Sequence, residues 1–589
     1  MITINLNKAV FNKVVFNKVV SSRSIFNKLF FFLLFIFLQL FYSVQSFSQT
    51  PEIIDNAQAA VASAHPLATQ AGIDILNQGG NAFDAAIAVT STLAVVEPYS
   101  SGIGGGGFYL LHQNKINRYV MIDARETAPS DAHKNMYLDA KGNVVDGASI
   151  TGAKSAGIPG IPAALVHLAE KYGELTLKQT LTIAINHASK GFPVDEYYQR
   201  MVRFRLKDLQ KNKAASDVFL QKGKTPELGY SIVQKDLAKT LRKISEQGSA
   251  GFYEGELASM MVNDVRQHGG IWSEKDLTDY KIIERAPDVA NYKGMKLIAA
   301  ALPSSGGLVL SEILAMLSEF DIEHMDEAQR VHHIVEAMRR AYRDRAEYMG
   351  DPDFVDVSGE FLTSERHIQS LVSSIDARAA TPSASLRAVA QPSGNGTDTT
   401  HFSIIDKQGN KVSATLSVNY PFGSCFVADG TGVLLNDEMD DFSAKPGVPN
   451  AYGLVGSQAN AIAPGKRMLS SMTPSIVESN DRIAVIGTPG GSRIITMVLL
   501  GILEFYDNKS ADEIVNTGRY HHQYLPDVIS YEPEVFDDSV TSALQKLGHK
   551  TKAMDNTYGN MHVVIQDKKT GRLEAASDGR GIGEAKVIH

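Results

Sequence analysis

One cysteine, Cys425, is the whole thiol content of a 589-residue chain. That excludes an internal disulfide and any zinc site built on paired cysteines, so stability has to come from core size. Its setting, Phe422-Gly-Ser-Cys-Phe-Val427, is that of a small buried hydrophobe. Also missing are a serine in G-x-S-x-G and an H-E-x-x-H pair, which leaves an esterase or a zinc peptidase without its motif. Basic residues are outnumbered, 57 against 65 acids, and the electrostatic footprint of a nucleic-acid binder is absent. His332 and His333 are adjacent on a helical pattern and project in different directions, so they cannot hold one metal as an i, i+4 pair would. No Pro/Ser-rich linker, long charge run or repeat divides the chain beyond its first fifty residues. With 44% hydrophobic and 21% charged residues, one large α/β unit is expected. The weakest stretch is Ala379 to Thr397, rich in Ala, Ser, Pro and Gly.

What is present begins with a targeting element. Lys8, Lys13, Lys18, Arg23 and Lys28 precede the first acid, Glu52, and Leu29 to Tyr42 is almost wholly apolar. Ser46 and Ser48 then occupy the −3 and −1 positions of a cleavage site. The apolar core falls short of the ~20 residues that span a bilayer as a helix. Residues 1–48 are therefore expected to be a signal peptide, and the mature protein to be exported, periplasmic or secreted, without a stable membrane anchor.

Helical and strand patterns alternate along the rest. Pro66 to Gln78 reads as a helix stopped by Gly79-Gly80, Asn81 with Asp84 as the capped start of a second helix to about Val96, and Asp326 with Gln329 as the start of a long one ending near Gly350. Gly102-Ile-Gly-Gly-Gly-Gly107 formally satisfies a dinucleotide fingerprint. It follows a helix-like stretch and precedes the strand-like Phe108-Tyr-Leu-Leu-His112, the reverse of the required context, and close backbone packing is expected instead.

Asp398-Thr399-Thr400-His401 is followed at once by two strand patterns joined at Lys407-Gln408-Gly409-Asn410. A threonine freed as a chain terminus carries its hydroxyl nucleophile and a weakly basic amine on one residue. In the second strand Val412, Ala414, Leu416 and Val418 alternate with Ser413, Thr415, Ser417 and Asn419. A period of two puts the first set on a core, and leaves the second as either a polar face toward solvent or a lining of hydroxyls beside Thr399. The acidic run Asp437-Glu-Met-Asp-Asp441 lacks the spacing of a calcium loop, and its flanks Val433-Leu-Leu435 and Phe442 hold it near a core. Gly490-Gly491, after Pro489 and before a helix-forming run, can turn two N–H groups toward an anion.

Five motifs occur in order: Asp123-Ala-Arg125-Glu-Thr-Ala-Pro129, Asp398-Thr-Thr-His401, Leu434-Leu-Asn-Asp-Glu-Met-Asp-Asp-Phe442, Leu469-Ser-Ser-Met-Thr-Pro474 and Gly487-Thr-Pro-Gly-Gly-Ser-Arg493. Together they resemble the bacterial gamma-glutamyltransferases (gamma-glutamyl transpeptidases, glutathione hydrolases) from about Glu52 to the C-terminus. The resemblance implies a four-layer αββα sandwich of the N-terminal nucleophile hydrolase type. It implies a precursor that cleaves itself between Asp398 and Thr399 into a large subunit, 49–398, and a small catalytic subunit, 399–589, which stay together as a heterodimer.

It further implies that Thr399 is the nucleophile, that Gly490 and Gly491 form the oxyanion hole, and that Arg125, Ser470 and Ser471 take the substrate α-carboxylate. Asn419, Glu438 and Asp441 would take the α-ammonium, and Tyr452 would close a lid formed by Asp440 to about Gly456. Ser417 stands where the family usually has a threonine that hydrogen-bonds the nucleophile; serine keeps the hydroxyl but loses the methyl that restricts χ1. The implied substrates are glutathione and other gamma-glutamyl compounds, with water, amino acids or peptides as acceptors and no metal or organic cofactor. A cephalosporin or glutaryl acylase of the same fold and a non-enzymatic periplasmic amino-acid-binding protein are the alternatives.

Overall fold

The computed structural model describes residues 59–386 and 399–588. The expected signal, Asp398 and the later part of the Ala379–Thr397 stretch lie outside the described residues. The strands of the two large sheets are β1 (Ala59–Ser63), β2 (Gly106–Gln113), β3 (Arg118–Ala124), β4 (Ile283–Arg285), β5 (Asp288–Tyr292), β6 (Met295–Ala299), β7 (Thr400–Ile405), β8 (Lys411–Ser417), β9 (Ser475–Glu478), β10 (Arg482–Gly487), β11 (His562–Asp567), β12 (Leu573–Ser577) and β13 (Glu584–Ile588). The first sheet runs β13-β1-β7-β8-β2-β3-β4 and the second β12-β11-β10-β9-β6-β5, with every pairing antiparallel.

Six of the helices cover the sheets around the site: α1 (Pro66–Asn77), α2 (Ala82–Val96), α3 (Gly306–Ser318), α4 (Glu327–Tyr348), α5 (Glu365–Ser373) and α6 (Ile494–Tyr506). Asn81 caps α2 as its sequence requires, its Oδ1 accepting from the amides of Phe83 and Asp84 while Asp84 Oδ2 accepts from Asn81 N. Asp326 caps α4 by accepting from Gln329 N at 2.9 Å. Among the described residues no helix is long and apolar enough to cross a membrane.

Three cores separate four layers. Phe402, Ile404, Val412, Ala414 and Leu416 of the first sheet lie under α1 and α2. Leu297, Val477, Ala484, Ile486 and Val563 of the second lie under α3, α4 and α6. Between the sheets Ala60, Ala62, Leu110 and Ile405 meet Ile298, Ile476, Val485 and Val564. The αββα sandwich is the architecture expected from the motifs.

The polar face of β8 does not meet solvent. All of β8 is buried, and Ser413, Thr415 and Ser417 face the second sheet or the cavity at its edge. Ser413 Oγ donates to Ile486 O at 3.1 Å and accepts from Ser475 N at 3.0 Å, and Thr415 Oγ1 lies 2.8 Å from His401 Nδ1. The hydroxyls are satisfied across the seam, which is what lets a polar strand face be interior.

The glycine run packs as its context implied. A Cβ on Gly104 would lie 2.0 Å from Leu434 O, and one on Gly105 2.1 Å from Ser417 O, so only bare backbone can pass beneath the end of β8. Cys425 is buried in the core beside α2, and burial pushes its thiol up to about 12. His332 and His333 diverge as expected: His332 bonds His549 Nε2 (2.7 Å) and Asp376 O (2.9 Å), whereas His333 bonds Gln329 O (2.8 Å).

The first part of the Ala379–Thr397 stretch is tied down, contrary to its composition. Buried Glu336 of α4 pairs with Arg339 (3.1 Å) and Arg340 (2.6 Å) and accepts from Thr381 N (3.2 Å). Arg339 reaches on to Ser383 Oγ and Asp527, and Asp527 accepts from Ser383 N at 2.9 Å. Burial alone would raise the Glu336 carboxyl, but Arg339, Thr381 and Arg340 outweigh it and hold it at about 2 against an ordinary 4.5. Because this folded-state value is depressed, its stabilisation is complete above about pH 4.5 and is lost as pH falls toward 2, on the order of 3 kcal/mol in all. Thermal melts from pH 6 to 2 should show wild type losing stability through that window, and Glu336→Gln, destabilised throughout, losing less of it. Parallel curves would show that Glu336 does not titrate there.

Candidate active site

The register of the central hairpin builds the site. Leu416 pairs with Thr400, so the next antiparallel pair sets Ser417 opposite Thr399, at the mouth of the first sheet. Thr399 is 5% exposed, and the Ser417 hydroxyl accepts from Asn419 N at 2.7 Å and donates toward the Glu438 carboxyl in the same cavity. Beyond Ser417 the chain turns sharply, with Asn419 (φ 77°), Phe422 (φ 58°) and Cys425 (φ 54°) all left-handed. Asn419 Nδ2 donates to Asp437 O at 3.1 Å, which fixes the side chain against the acidic turn.

Arg125 sits just past the end of β3. Asp123 holds that bend by accepting from Arg125 N (3.0 Å) and from Arg285 Nε (2.8 Å). Across the cavity Asn436 stitches the acidic run to the glycine run, donating to Gly104 O (2.8 Å) and Gly157 O (2.9 Å) and accepting from Glu438 N (3.0 Å). Glu438–Asp441 then forms a single 3₁₀ turn. From it Glu438 Oε2 and Asp441 Oδ2 each accept from the Arg125 guanidinium at 2.5 Å.

Three acids surround that one guanidinium. Burial works against the Arg125 charge, but Glu438, Asp441 and Glu126 outweigh it. Glu126 lies 3.6 Å away, is fully buried and has no hydrogen-bond partner on either oxygen; burial first, then the nearby Glu438, raise its carboxyl well above the ordinary value, with Arg125 opposing.

Ser470 and Ser471 complete the opposite wall. Ser470 O accepts from Ser305 N (2.9 Å) and Ser305 Oγ (2.7 Å), and Ser471 Oγ accepts from Arg345 of α4 at 3.1 Å. Gly490 (φ 143°) and Gly491 (φ 56°) lead through a short turn into α6. Tyr452, expected to close the lid loop, is 6% exposed, with its hydroxyl donating to Asn419 O at 2.6 Å. A Cβ on Gly491 would meet the Tyr452 ring at 2.3 Å, so the loop seals tightly on the glycine pair.

Ten of the eleven residues singled out in the sequence line one cavity: Arg125, Thr399, Ser417, Asn419, Glu438, Asp441, Tyr452, Ser470, Ser471 and Gly491. Its free volume is about 20 Å³, room for about one water. Gly490 faces an adjoining open groove beside Pro489 and Tyr558. Leu454, Met472, Ser492 and Ile494 also line the cavity and carry no sequence signal beyond their motif neighbours. Arg345 and Glu126 were missed as well; Arg345 lies mid-helix, and only the fold brings it to Ser471.

His401 offers no base to Thr399. Its ring is in the seam, bonded to Thr415 and to Ser403 Oγ (3.1 Å), and burial drives its pKa well below the ordinary value. Thr400 instead anchors the strand start, donating to Glu97 Oε2 at 2.6 Å; burial pushes Glu97 up to about 8.

A threonine at the head of a central strand in an αββα sandwich, opening into a closed ion-paired cavity, defines a hydrolase of the N-terminal nucleophile class. The chain belongs to the gamma-glutamyltranspeptidase family, whose model matches residues 68–588. It is 42% identical over 514 residues to a glutathione hydrolase proenzyme of Pseudomonas sp. (strain A14), covering 86% of this chain and 89% of that one. A glutathione hydrolase proenzyme of Escherichia coli (strain K12) is 39% identical over 532 residues, covering 90% and 91%. Among solved structures, a cephalosporin acylase from Bacillus halodurans superposes with a TM-score of 0.80 at 27% identity, over 91% of this chain and 97% of that one. The gamma-glutamyltranspeptidase of Helicobacter pylori matches with a TM-score of 0.54 at 38% identity, over 55% of this chain and 93% of its own.

Proposed function

We propose that this protein transfers the γ-glutamyl group of glutathione and related amides to water or to amino acids and peptides, through an ester on Thr399. The observation that carries this reading is the Arg125–Glu438–Asp441 ion pair in the same cavity as Thr399 and Ser417. An α-amino acid head group brings one carboxylate and one ammonium. It can therefore exchange places with the internal pairs charge for charge, Arg125, Ser470 and Ser471 turning to its carboxylate, and Asn419, Glu438 and Asp441 to its ammonium. The exchange leaves the net charge of the cavity unchanged.

The chemistry follows from the register. In the precursor the Thr399 hydroxyl attacks the carbonyl of Asp398, the peptide shifts to an ester, and water releases the new terminus. The freed α-amine then serves as base for the same hydroxyl, Ser417 orients it, and the N–H groups of Gly490 and Gly491 receive the oxyanion. Two findings support processing: relatives of nearly full coverage are named proenzymes, and a solved transpeptidase chain matched over 93% of itself covers only 55% of this one, as a subunit would. Large and small subunits, 49–398 and 399–589, would remain one heterodimer because β1 of the large subunit lies between β13 and β7 of the small one, and β2 of the large subunit pairs with β8 of the small one, in a single sheet. Tyr452 acts as the lid that shuts water out between steps. Residues 1–48 direct export, to the periplasm or beyond.

The acylase alternative is separated by the ammonium. L-γ-Glutamyl-p-nitroanilide should be turned over with a kcat/KM at least about 100-fold above that of glutaryl-p-nitroanilide, which lacks the amine and would leave the buried acids unanswered. Equal rates would turn the assignment toward an acylase, and no turnover of either by a stable uncleaved chain toward a binding protein.

Ser417 supplies a finer test. Ser417→Ala should slow both maturation and single-turnover acylation by about 10- to 100-fold, whereas Ser417→Thr should preserve or raise both, the added methyl only narrowing χ1. Acylation of matured Ser417→Ala at the wild-type rate would reduce Ser417 to part of a polar strand face.

A further inference from the structure

Away from the active site, one group of buried side chains has no account in the fold. Glu312 of α3, Asp344 of α4 and His367 of α5 offer one ligand atom each within 4.8 Å of one another. Glu312 is fully buried, and neither of its carboxylate oxygens has a hydrogen-bond partner. Asp344 is equally buried; its Oδ2 lies 2.7 Å from His367 Nε2, while its Oδ1, although 2.9 Å from Arg343 Nε, makes no hydrogen bond. Three buried carboxylate oxygens are thus left without a hydrogen bond, a cost of about 1–3 kcal/mol for each unsatisfied group. Arg343 is the cation beside the two carboxylates, and His367, 2.7 Å from Asp344, adds a second only when its imidazole is protonated.

A second group, His332, Glu336 and His549, is as close, but its donors and acceptors are engaged: the two imidazoles bond each other, and Glu336 is held by Arg339 and Arg340. The first group differs in leaving buried carboxylate oxygens without a hydrogen bond.

We propose that Glu312, Asp344 and His367 bind one divalent cation of borderline character, zinc or manganese, as a structural clamp across α3, α4 and α5. Two carboxylates and an imidazole are a donor set for such ions, whereas calcium or magnesium would call for oxygen donors alone. Small rotamer shifts bring atoms this close to the ~2.0–2.2 Å of a zinc bond. The clamp would also steady Arg345, next to Asp344, which holds Ser471 at the cavity wall.

The test uses the untagged, matured protein, stripped with a chelator and dialysed, then titrated with Zn²⁺, Mn²⁺ or Ca²⁺ and assayed for bound metal. Wild type should take up one equivalent of Zn²⁺ or Mn²⁺ and melt several degrees higher with it. Glu312→Gln and His367→Ala should each bind at least about 100-fold more weakly and gain no melting temperature, while turning over the γ-glutamyl anilide within about twofold of the stripped wild type. His367 is partly exposed, so its variant keeps the test open if Glu312→Gln fails to fold. Wild type taking up no ion, calcium binding as tightly as zinc, or both variants keeping the wild-type equivalent would overturn the proposal.

Discussion

Thr399→Ala is expected to yield a single folded chain that neither matures nor turns over a γ-glutamyl anilide. The hydroxyl that attacks the Asp398 carbonyl and the hydroxyl that later attacks substrate are the same atom, so one substitution removes both reactions. Loss of a hydroxyl nucleophile costs on the order of 10⁶ in kcat. Thr399→Ser keeps the atom and should both mature and turn over, more slowly, since without the methyl the side chain loses the χ1 restriction that aims it. Denaturing gels and steady-state rates of the two variants decide the matter, with melting temperature as the control for folding. The side chain is buried at the end of β7, and alanine fits its space. Normal cleavage of Thr399→Ala would mean that another group cuts the chain.

Asp441→Asn should raise KM for the anilide strongly and leave self-cleavage near the wild-type rate. In the cavity Asp441 reaches Arg125 with one oxygen and accepts from Asn450 with the other, and a substrate ammonium would replace the guanidinium as its ion partner. Removing one partner of a buried charged contact costs about 2–5 kcal/mol, or roughly 30- to 5,000-fold in kcat/KM. The 398–399 bond carries no ammonium, and maturation makes no use of that carboxylate. Rates of precursor conversion and of anilide hydrolysis, measured on the same preparation, separate the two roles. Equal impairment of both would make Asp441 a structural ion-pair partner only.

How far the sequence could be read depends on how local each feature is. The Asn81 cap, the strand alternation of β8 and the turn at Gly409 are set by neighbours a few residues apart, and all three appear where the residues place them. The hydroxyl row on β8 was legible as a face, but not its destination. Whether that face met water or a second sheet depended on β9 and β10, some sixty residues on. The pairing of Arg125 with Glu438 and Asp441 spans more than 300 positions and follows from no spacing rule; the motif resemblance brought these residues together, but as separate subsites rather than as one ion pair. Tyr452 was legible as the aromatic of the lid loop, but not the contact that buries it, the bare backbone of Gly491 on a distant turn. Composition misread Ala379 to Leu386 for the same reason: small residues make a stretch compliant, and Glu336, Arg339 and Asp527 pin it from outside. Arg345 and the Glu312 cluster carry no motif, and only packed helices bring them into view.

The central claim is that Thr399 becomes a chain terminus. Intact-mass measurement and N-terminal sequencing of the purified wild-type protein test it most directly. Two chains are predicted, the smaller comprising residues 399–589 and starting Thr-Thr-His-Phe. A single undivided chain that still hydrolyses the anilide after prolonged incubation, or a smaller chain that starts at any other residue, would contradict the mechanism.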